Sequence, residues 1–76
     1  MMKERILQIM RRENMTQQEF AKAIEVSPAS LSNIFNGKTN PTNNHVSAIH
    51  RRFPDININW LMFGEGDLYP TVSDET

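Results

Sequence analysis

The sequence predicts a small all-α domain of five short helices, and three observations predict it. The chain has 76 residues, the length of one domain with a compact core. Its apolar residues recur at helical spacing, and no stretch alternates between apolar and polar residues for long enough to predict a strand. Residues that cap or break helices recur at short intervals and divide the chain into helix-sized pieces.

The first helix is predicted over residues 3–13, where one side is apolar and the other polar. Asn14 follows it, and asparagine tolerates the left-handed conformation that ends many helices. The apolar stripe that we expect in the core consists of Met2, Ile6, Ile9 and Met10.

The second and third helices are predicted on either side of a short turn. Residues 16–19, Thr-Gln-Gln-Glu, match the capping box that opens a helix. Ser27 suits the N-cap of the next helix and Pro28 its first position, and Gly37 ends that helix after Asn36. A turn this short makes the two helices cross steeply. The inward residues of the second helix are Phe20, Ala21 and Ile24.

Two more helices complete the predicted domain. Thr42 or Asn43 caps a fourth helix that runs to Arg52, and Asn57 caps a fifth over residues 58–63. The inward residues of the fourth helix are Val46, Ile49 and Phe53.

The charges are divided unevenly along the chain, although the formal net charge is only −1. Residues 1–52 hold all eight Lys and Arg with four acids, a charge of +4, and residues 53–76 carry −5. This division indicates a basic working face followed by an acidic tail.

Several classes of function are disfavoured. The absence of cysteine excludes disulfides, thiolate metal sites and cysteine nucleophiles. His45 and His50 are five residues apart, off the spacing of paired ligands, so we expect capping or surface histidines and no metal. The serines lack base and acid partners, so we expect neither an enzyme nor a cofactor. Without a membrane span or a signal peptide, the expected location is the cytoplasm.

The third helix has an apolar side and a polar side. At about 100° per residue, Leu31, Ile34 and Phe35 cluster on the apolar side. The opposite side is small, uncharged and able to form hydrogen bonds, which suits a major groove about 12 Å wide. An exposed helix face can also be polar without binding anything. The polar side consists of Ala29, Ser32, Asn33 and Asn36, with Ser30 on its flank.

The surrounding pattern resembles the helix-turn-helix of lambda-repressor/Cro-type regulators, the Xre family. The residues that carry the resemblance are TQQEFA at 16–21, VS at 26–27, LSNI at 31–34 and NGKTNP at 36–41. It extends over residues 5–63 and implies a compact five-helix lambda-repressor-like domain.

The resemblance implies that the protein is a regulator of transcription, a repressor, that binds double-stranded DNA as a homodimer at a palindromic operator. Carried over by position, the residues at DNA bases are Ser27, Pro28, Ala29, Ser30, Ser32 and Asn33. Those at phosphates are Thr16, Gln17, Asn36, Lys38 and Thr39.

Two positions depart from the family pattern. Glu25 stands in the turn where the family usually has glycine, so it either adopts a positive φ, at a cost on the order of 1 kcal/mol, or the turn differs slightly. Pro28 and Ala29 replace longer polar side chains at the start of the third helix. More of the readout is then left to DNA shape and to Ser30, Ser32 and Asn33.

The C-terminal end is apolar for its length. Residues 60–66, WLMFGEG, resemble the end of the DNA-binding domain in repressors that continue into a second domain. We therefore predict a DNA-binding domain over residues 1–66 and a tail, or the start of an interdomain linker, over 67–76. In one interpretation Trp60 and Leu61 complete the core, and in another this end forms a dimer contact; both can hold, with Trp60 inside and Phe63 or Tyr69 outside. A further interpretation is that this end binds a partner, as a protein-interaction or antitoxin-like module would. The possible dimer contacts are Phe63, Leu68 and Tyr69.

Overall fold

Five helices follow one another in the computed structural model, which describes residues 1–69. Each begins and ends within one residue of its predicted position, and no strand occurs in the described part of the chain. The predicted five-helix, all-α fold is confirmed. The helices are α1 (Met2–Arg12), α2 (Gln17–Ile24), α3 (Pro28–Phe35), α4 (Asn43–Arg52) and α5 (Ile58–Phe63).

The starts of α2 and α3 are held by the capping residues that the sequence predicts. The Thr16 hydroxyl accepts the Glu19 backbone N–H at 3.2 Å, and the Glu19 carboxylate accepts the Thr16 backbone N–H at 2.8 Å. The Ser27 hydroxyl accepts the Ser30 backbone N–H at 3.1 Å, and Pro28 is the first residue of α3. Because these bonds satisfy donors that a helix start leaves unpaired, they fix where both helices begin.

Residues with a left-handed backbone follow four of the helices. They are Asn14, Glu25, Gly37 and Gly64, and the φ of Glu25 is 61°. Glu25 therefore takes the positive φ that was one of the two predicted outcomes, and the turn keeps the geometry that glycine usually supplies. As a result, the connection between α2 and α3 spans only residues 25–27.

The core lies between the helices. α2 packs against α3 and α4, and α1 packs against α3 and α5. The rings of Phe20 and Phe53 stack with their centroids 6.0 Å apart. Trp60 and Leu61 are 8 % and 0 % exposed, which confirms that they complete the core. Of the predicted inward residues, Met2, Met10 and Phe35 are half-buried, and the others are buried: Ile6, Ile9, Phe20, Ala21, Ile24, Leu31, Ile34, Val46, Ile49 and Phe53.

The packed region continues past the predicted domain boundary at residue 66. The Asn57 backbone N–H donates to the Leu68 carbonyl oxygen at 2.9 Å, and the Leu68 side chain is only 7 % exposed. The Tyr69 hydroxyl donates a hydrogen bond to the Glu13 carboxylate at the end of α1. Leu68 and Tyr69 therefore turn back onto the rest of the chain, and the division at residue 66 stays a prediction.

The described residues contain neither a membrane-spanning helix nor a group of metal-binding side chains. No helix within residues 1–69 is long and apolar enough to cross a membrane. In the same residues, no three His, Asp or Glu side chains form a group that could hold a metal ion. The predicted tail is described only to Tyr69, and residues 70–76 lie outside the described part.

Candidate nucleic-acid interface

The outward side of α3 carries small polar residues. Leu31 and Ile34 are 0 % exposed and anchor the helix in the core. The side predicted to meet DNA is open where α3 begins and partly shielded in the middle of the helix. Its exposed residues are Ser27, Pro28, Ala29 and Asn36, and its half-buried residues are Ser30, Ser32 and Asn33.

The backbone of Asn33 holds the loop that follows α3, and its side-chain amide has no hydrogen-bond partner within residues 1–69. Its carbonyl oxygen accepts the backbone N–H groups of Lys38 at 2.9 Å and Thr39 at 3.3 Å, so it folds the following loop back onto the end of α3. Among the described residues, no hydrogen-bond partner engages the Asn33 side-chain amide. This amide keeps both the donor and the acceptor that pairing with an adenine edge requires.

Ser32 and Asn36 lie one turn apart and contact each other. The Asn36 side-chain amide donates to the Ser32 hydroxyl oxygen at 3.3 Å. Ser32 uses an acceptor lone pair in this bond and keeps its hydroxyl hydrogen for another acceptor. The bond joins Ser32, which is predicted to contact a base, to Asn36, which is predicted to contact a phosphate.

Ser30 is joined to α4 through His45. The Ser30 hydroxyl oxygen lies 3.0 Å from Nε2 of His45. On the other side of the ring, Nδ1 of His45 accepts the Thr42 backbone N–H at 3.1 Å and lies 3.0 Å from the Thr42 hydroxyl. His45 is thus a capping residue of α4, one of the two roles expected for it, and it also contacts Ser30 on the flank of α3.

The start of α2 offers backbone donors beside polar side chains. The capping box occupies the N–H groups of Thr16 and Glu19, whereas those of Gln17 and Gln18 belong to the first turn and have no carbonyl partner within the helix. Such a helix start attracts anions, although the Glu19 carboxylate at the same place reduces the attraction. Gln17 is half-buried, and Thr16 is exposed.

A family model described as a helix-turn-helix matches residues 6–61, which run from within α1 to the middle of α5. The chain belongs to this helix-turn-helix family. The family is of the Xre and lambda-repressor type, as the sequence predicts, and its domains bind double-stranded DNA and are not enzymatic. Searches of curated proteins and of solved structures found no match.

The basic residues of this helix-turn-helix domain are not consumed by internal ion pairs. Within residues 1–69, the one ion pair joins the N-terminal amine to Glu4 at 3.1 Å. No Lys or Arg side chain therefore has a carboxylate partner within 4.0 Å in that part of the chain. Lys38 and Thr39 are both exposed in the loop after α3. A cation without an internal partner is free to neutralise a DNA phosphate.

The three predicted dimer residues of the helix-turn-helix domain lie in different surroundings. Phe63 at the end of α5 is 64 % exposed, whereas Leu68 is buried in the core of its own chain. Tyr69 is half-buried against α1, where the Arg12 guanidinium lies 5.3 Å from its ring centroid. Leu68 is unavailable to a partner because it packs inside, so Phe63 remains the exposed apolar side chain of the set.

His45 is the residue whose part in the site the sequence analysis missed. The sequence predicts only a capping or surface histidine at this position, and in the folded chain the Thr42 backbone N–H donates to its ring. The contact with Ser30 joins residues far apart in the chain, and only the packing of α4 beside α3 produces it. Burial lowers the pKa of His45 below its ordinary value of 6.5, so the neutral ring is favoured.

Proposed function

We propose that this protein is a sequence-specific transcriptional repressor that binds a palindromic operator as a homodimer. One observation carries the proposal: α3 is anchored by buried Leu31 and Ile34, while its opposite side presents the Asn33 amide, which has no hydrogen-bond partner within residues 1–69, among small hydroxyl-bearing residues. A rigid helix with this outer side fits the major groove, and it acts by occupying DNA that a polymerase needs.

In this proposal the outward side of α3, together with its N-cap Ser27, reads the bases. Asn33 pairs with adenine, the serine hydroxyls contact base edges, and the Ala29 methyl packs against a thymine methyl. Because Pro28 and Ala29 are short, part of the specificity comes from the shape of the DNA. The proposed base contacts are Ser27, Pro28, Ala29, Ser30, Ser32 and Asn33.

Phosphate contacts flank this helix and set its register on the duplex. They come from the start of α2 and from the loop after α3, whose basic residue Lys38 is exposed and free of ion pairs within the described part of the chain. The proposed phosphate contacts are Thr16, Gln17, Asn36, Lys38 and Thr39.

The proposed dimer contact is Phe63. An apolar side chain that is 64 % exposed at the end of a helix gains stability by packing against its own copy across a two-fold axis. Such a dimer places two recognition helices in successive major grooves about 34 Å apart, and the operator is then a palindrome. The division of the chain into a DNA-binding domain over residues 1–66 and a tail, or the start of an interdomain linker, over 67–76 is also part of the proposal.

The test is to bind the protein to mixed genomic DNA fragments and to sequence those that it retains. We expect enrichment of one palindromic sequence whose half-sites are one helical turn apart. Retention without any enriched sequence at low salt would contradict the proposal. It would favour the second candidate, a protein-interaction module, which the exposed Phe63 and the formal net charge of −1 also fit.

Two substitutions then separate base contacts from phosphate contacts. Asn33→Ala is expected to cost about 1–3 kcal/mol at the selected operator and little on random DNA, with Asn59→Ala at an exposed position of α5 as the control. Lys38→Ala is expected to weaken binding to both DNAs and to lower the slope of log K against log salt by about one unit, with Lys22→Ala as the control. Equal losses on both DNAs for Asn33→Ala would exclude its base contact, and an unchanged slope would exclude the phosphate contact of Lys38.

A further inference from the structure

His45 joins the start of α4 to the recognition helix through two different ring nitrogens. Nδ1 faces the Thr42 backbone N–H at 3.1 Å, and Nε2 faces the Ser30 hydroxyl at 3.0 Å. His45 and Ser30 are both half-buried, so water competes less for this contact than at an open surface.

The bond to Thr42 fixes which nitrogen of His45 carries the hydrogen. A backbone N–H can only donate, so Nδ1 must be an unprotonated acceptor. In a neutral imidazole the hydrogen then lies on Nε2, and this N–H donates to the Ser30 oxygen. The α4 cap therefore determines the direction of the hydrogen bond at α3.

This direction leaves the Ser30 hydroxyl as a donor. Its oxygen has two lone pairs, of which the Nε2–H of His45 occupies one, and its own hydrogen must point away from the ring. Among the described residues, no acceptor takes that hydrogen. Ser30 is half-buried beside exposed Ala29 in the first turn of α3, so a ligand that packs against this turn can accept the hydrogen.

We propose that His45 is a positioning residue that holds the Ser30 hydroxyl as a hydrogen-bond donor to DNA. The inference rests on the proposed function. The ligand atom is an acceptor, either a base-edge N7, O6 or O4 in the major groove or a phosphate oxygen. His45 itself does not contact DNA; it acts through Ser30.

A double-mutant cycle on the selected operator tests the proposal. Ser30→Ala is expected to weaken binding about three- to tenfold, the size of one hydrogen bond. His45→Ala is expected to weaken it by a similar factor when Ser30 is present, and by less than about twofold in the Ser30→Ala background. A purely structural role predicts the same loss in both backgrounds, and that result would overturn the proposal. Urea unfolding of each variant verifies that the operator affinities are measured on folded protein.

Two variants that preserve the α4 cap keep the test valid if His45→Ala does not fold. Both Glu and Gln complete a capping box with Thr42, but a carboxylate cannot donate to Ser30 whereas an amide can. We expect His45→Gln to retain most of the operator affinity, and His45→Glu to lose more affinity with Ser30 present than in the Ser30→Ala background. Charge repulsion from Glu affects both backgrounds and cancels in the comparison. Equal affinities for the Gln and Glu variants with Ser30 present would overturn the proposal.

The same measurements identify the acceptor. A Ser30→Ala loss at the operator alone assigns it to a base edge, and an equal loss on random DNA assigns it to a phosphate. If the unaltered protein enriches no sequence, the proposed function itself fails. If it binds its operator but Ser30 and His45 show no coupling, only this inference fails.

Discussion

Glu25 has a left-handed backbone, with a φ of 61°, in the turn between α2 and α3. Residues with a Cβ pay about 1–2 kcal/mol for this conformation, and glycine pays nothing sterically but loses more chain entropy on folding. The exposed Glu25 side chain makes no hydrogen bond within the described residues that would offset the cost. We therefore expect Glu25→Gly to raise the free energy of unfolding by about 0.5–1 kcal/mol, measured by urea titration.

Asn14 supplies the matched control for this substitution. It has the same φ of 61° after α1, but asparagine tolerates the left-handed region better than glutamate. Asn14→Gly should therefore stabilise the protein less than Glu25→Gly. A loss of stability in Glu25→Gly would show that the turn gains something from the glutamate that outweighs its backbone cost.

α5 is too short to be stable by itself and depends on the contacts that hold it. It has six residues, whereas isolated helices below about 12–15 residues are marginal in water. Arg5 of α1 donates from Nε to the Leu61 carbonyl oxygen at 2.8 Å and from Nη2 to that of Met62 at 3.2 Å. These bonds place a cation at the negative C-terminal end of α5 and satisfy carbonyl groups that the helix leaves unpaired.

Arg5→Ala is accordingly expected to lower the free energy of unfolding by about 2–3 kcal/mol, because it removes charge-assisted hydrogen bonds from a part-buried site. Arg5→Lys should recover only part of this loss, since an ammonium cannot reproduce the planar fork. Arg11→Ala, at an exposed position of the same helix, should change stability by less than about 0.5 kcal/mol. Equal effects at the two arginines in urea unfolding would refute the capping role of Arg5.

The cap of α4 makes stability depend on pH. Burial lowers the pKa of His45 in the folded chain below 6.5, so the unfolded chain binds its proton at a higher pH than the folded chain. The contribution of neutral His45 to the free energy of unfolding is therefore complete above the pKa of the unfolded chain and is lost as pH falls through the lower pKa of the folded chain. Protonation also places a hydrogen on Nδ1, which then repels the Thr42 backbone N–H. We expect the free energy of unfolding to decrease on acidification from pH 7.5 to pH 5.

The assignment of this pH dependence to His45 is tested with two variants. His45→Gln keeps a capping box with Thr42 but cannot titrate, so the decrease should become smaller. His50→Gln removes an exposed imidazole from the same helix and should leave the decrease unchanged. An unaltered decrease in His45→Gln would attribute it to other groups.

The whole molecule shows which features a sequence can predict. Helix positions follow from local signals, such as the capping box at residues 16–19 and the Ser27-Pro28 start of α3, because the groups that bond are three residues apart. The link between Ser30 and His45 and the packing of Leu68 were missed, because each joins segments that meet only after the helices have packed.

For the site, the sequence predicts which side of α3 faces outward but not the partners of its polar residues. The spacing of apolar residues indicates which side of α3 is anchored, and Leu31 and Ile34 are fully buried as expected. The same spacing cannot tell an open polar residue from one engaged by a neighbour. Ser32 and Ser30 are on the expected side, yet the first accepts a bond from Asn36 and the second faces His45. Which polar side chains form hydrogen bonds depends on the distances between them in the folded chain, and the spacing of apolar residues along the sequence does not give these distances.

The apolar C-terminal end serves the stability of the monomer and, in our proposal, its dimerisation through different residues. Leu68 is 7 % exposed, so Leu68→Ala should lower the free energy of unfolding by about 2–3 kcal/mol. Phe63 is 64 % exposed, so Phe63→Ala should change it by less than about 0.5 kcal/mol.

DNA binding should show the reverse order for these two substitutions. Phe63→Ala is expected to weaken binding to the full palindrome while leaving binding to a single half-site unchanged, because only the palindrome engages two copies at once. Leu68→Ala, measured where it remains folded, should bind both DNAs like the unaltered protein. If Phe63→Ala leaves palindrome binding intact, the two copies must meet through another surface.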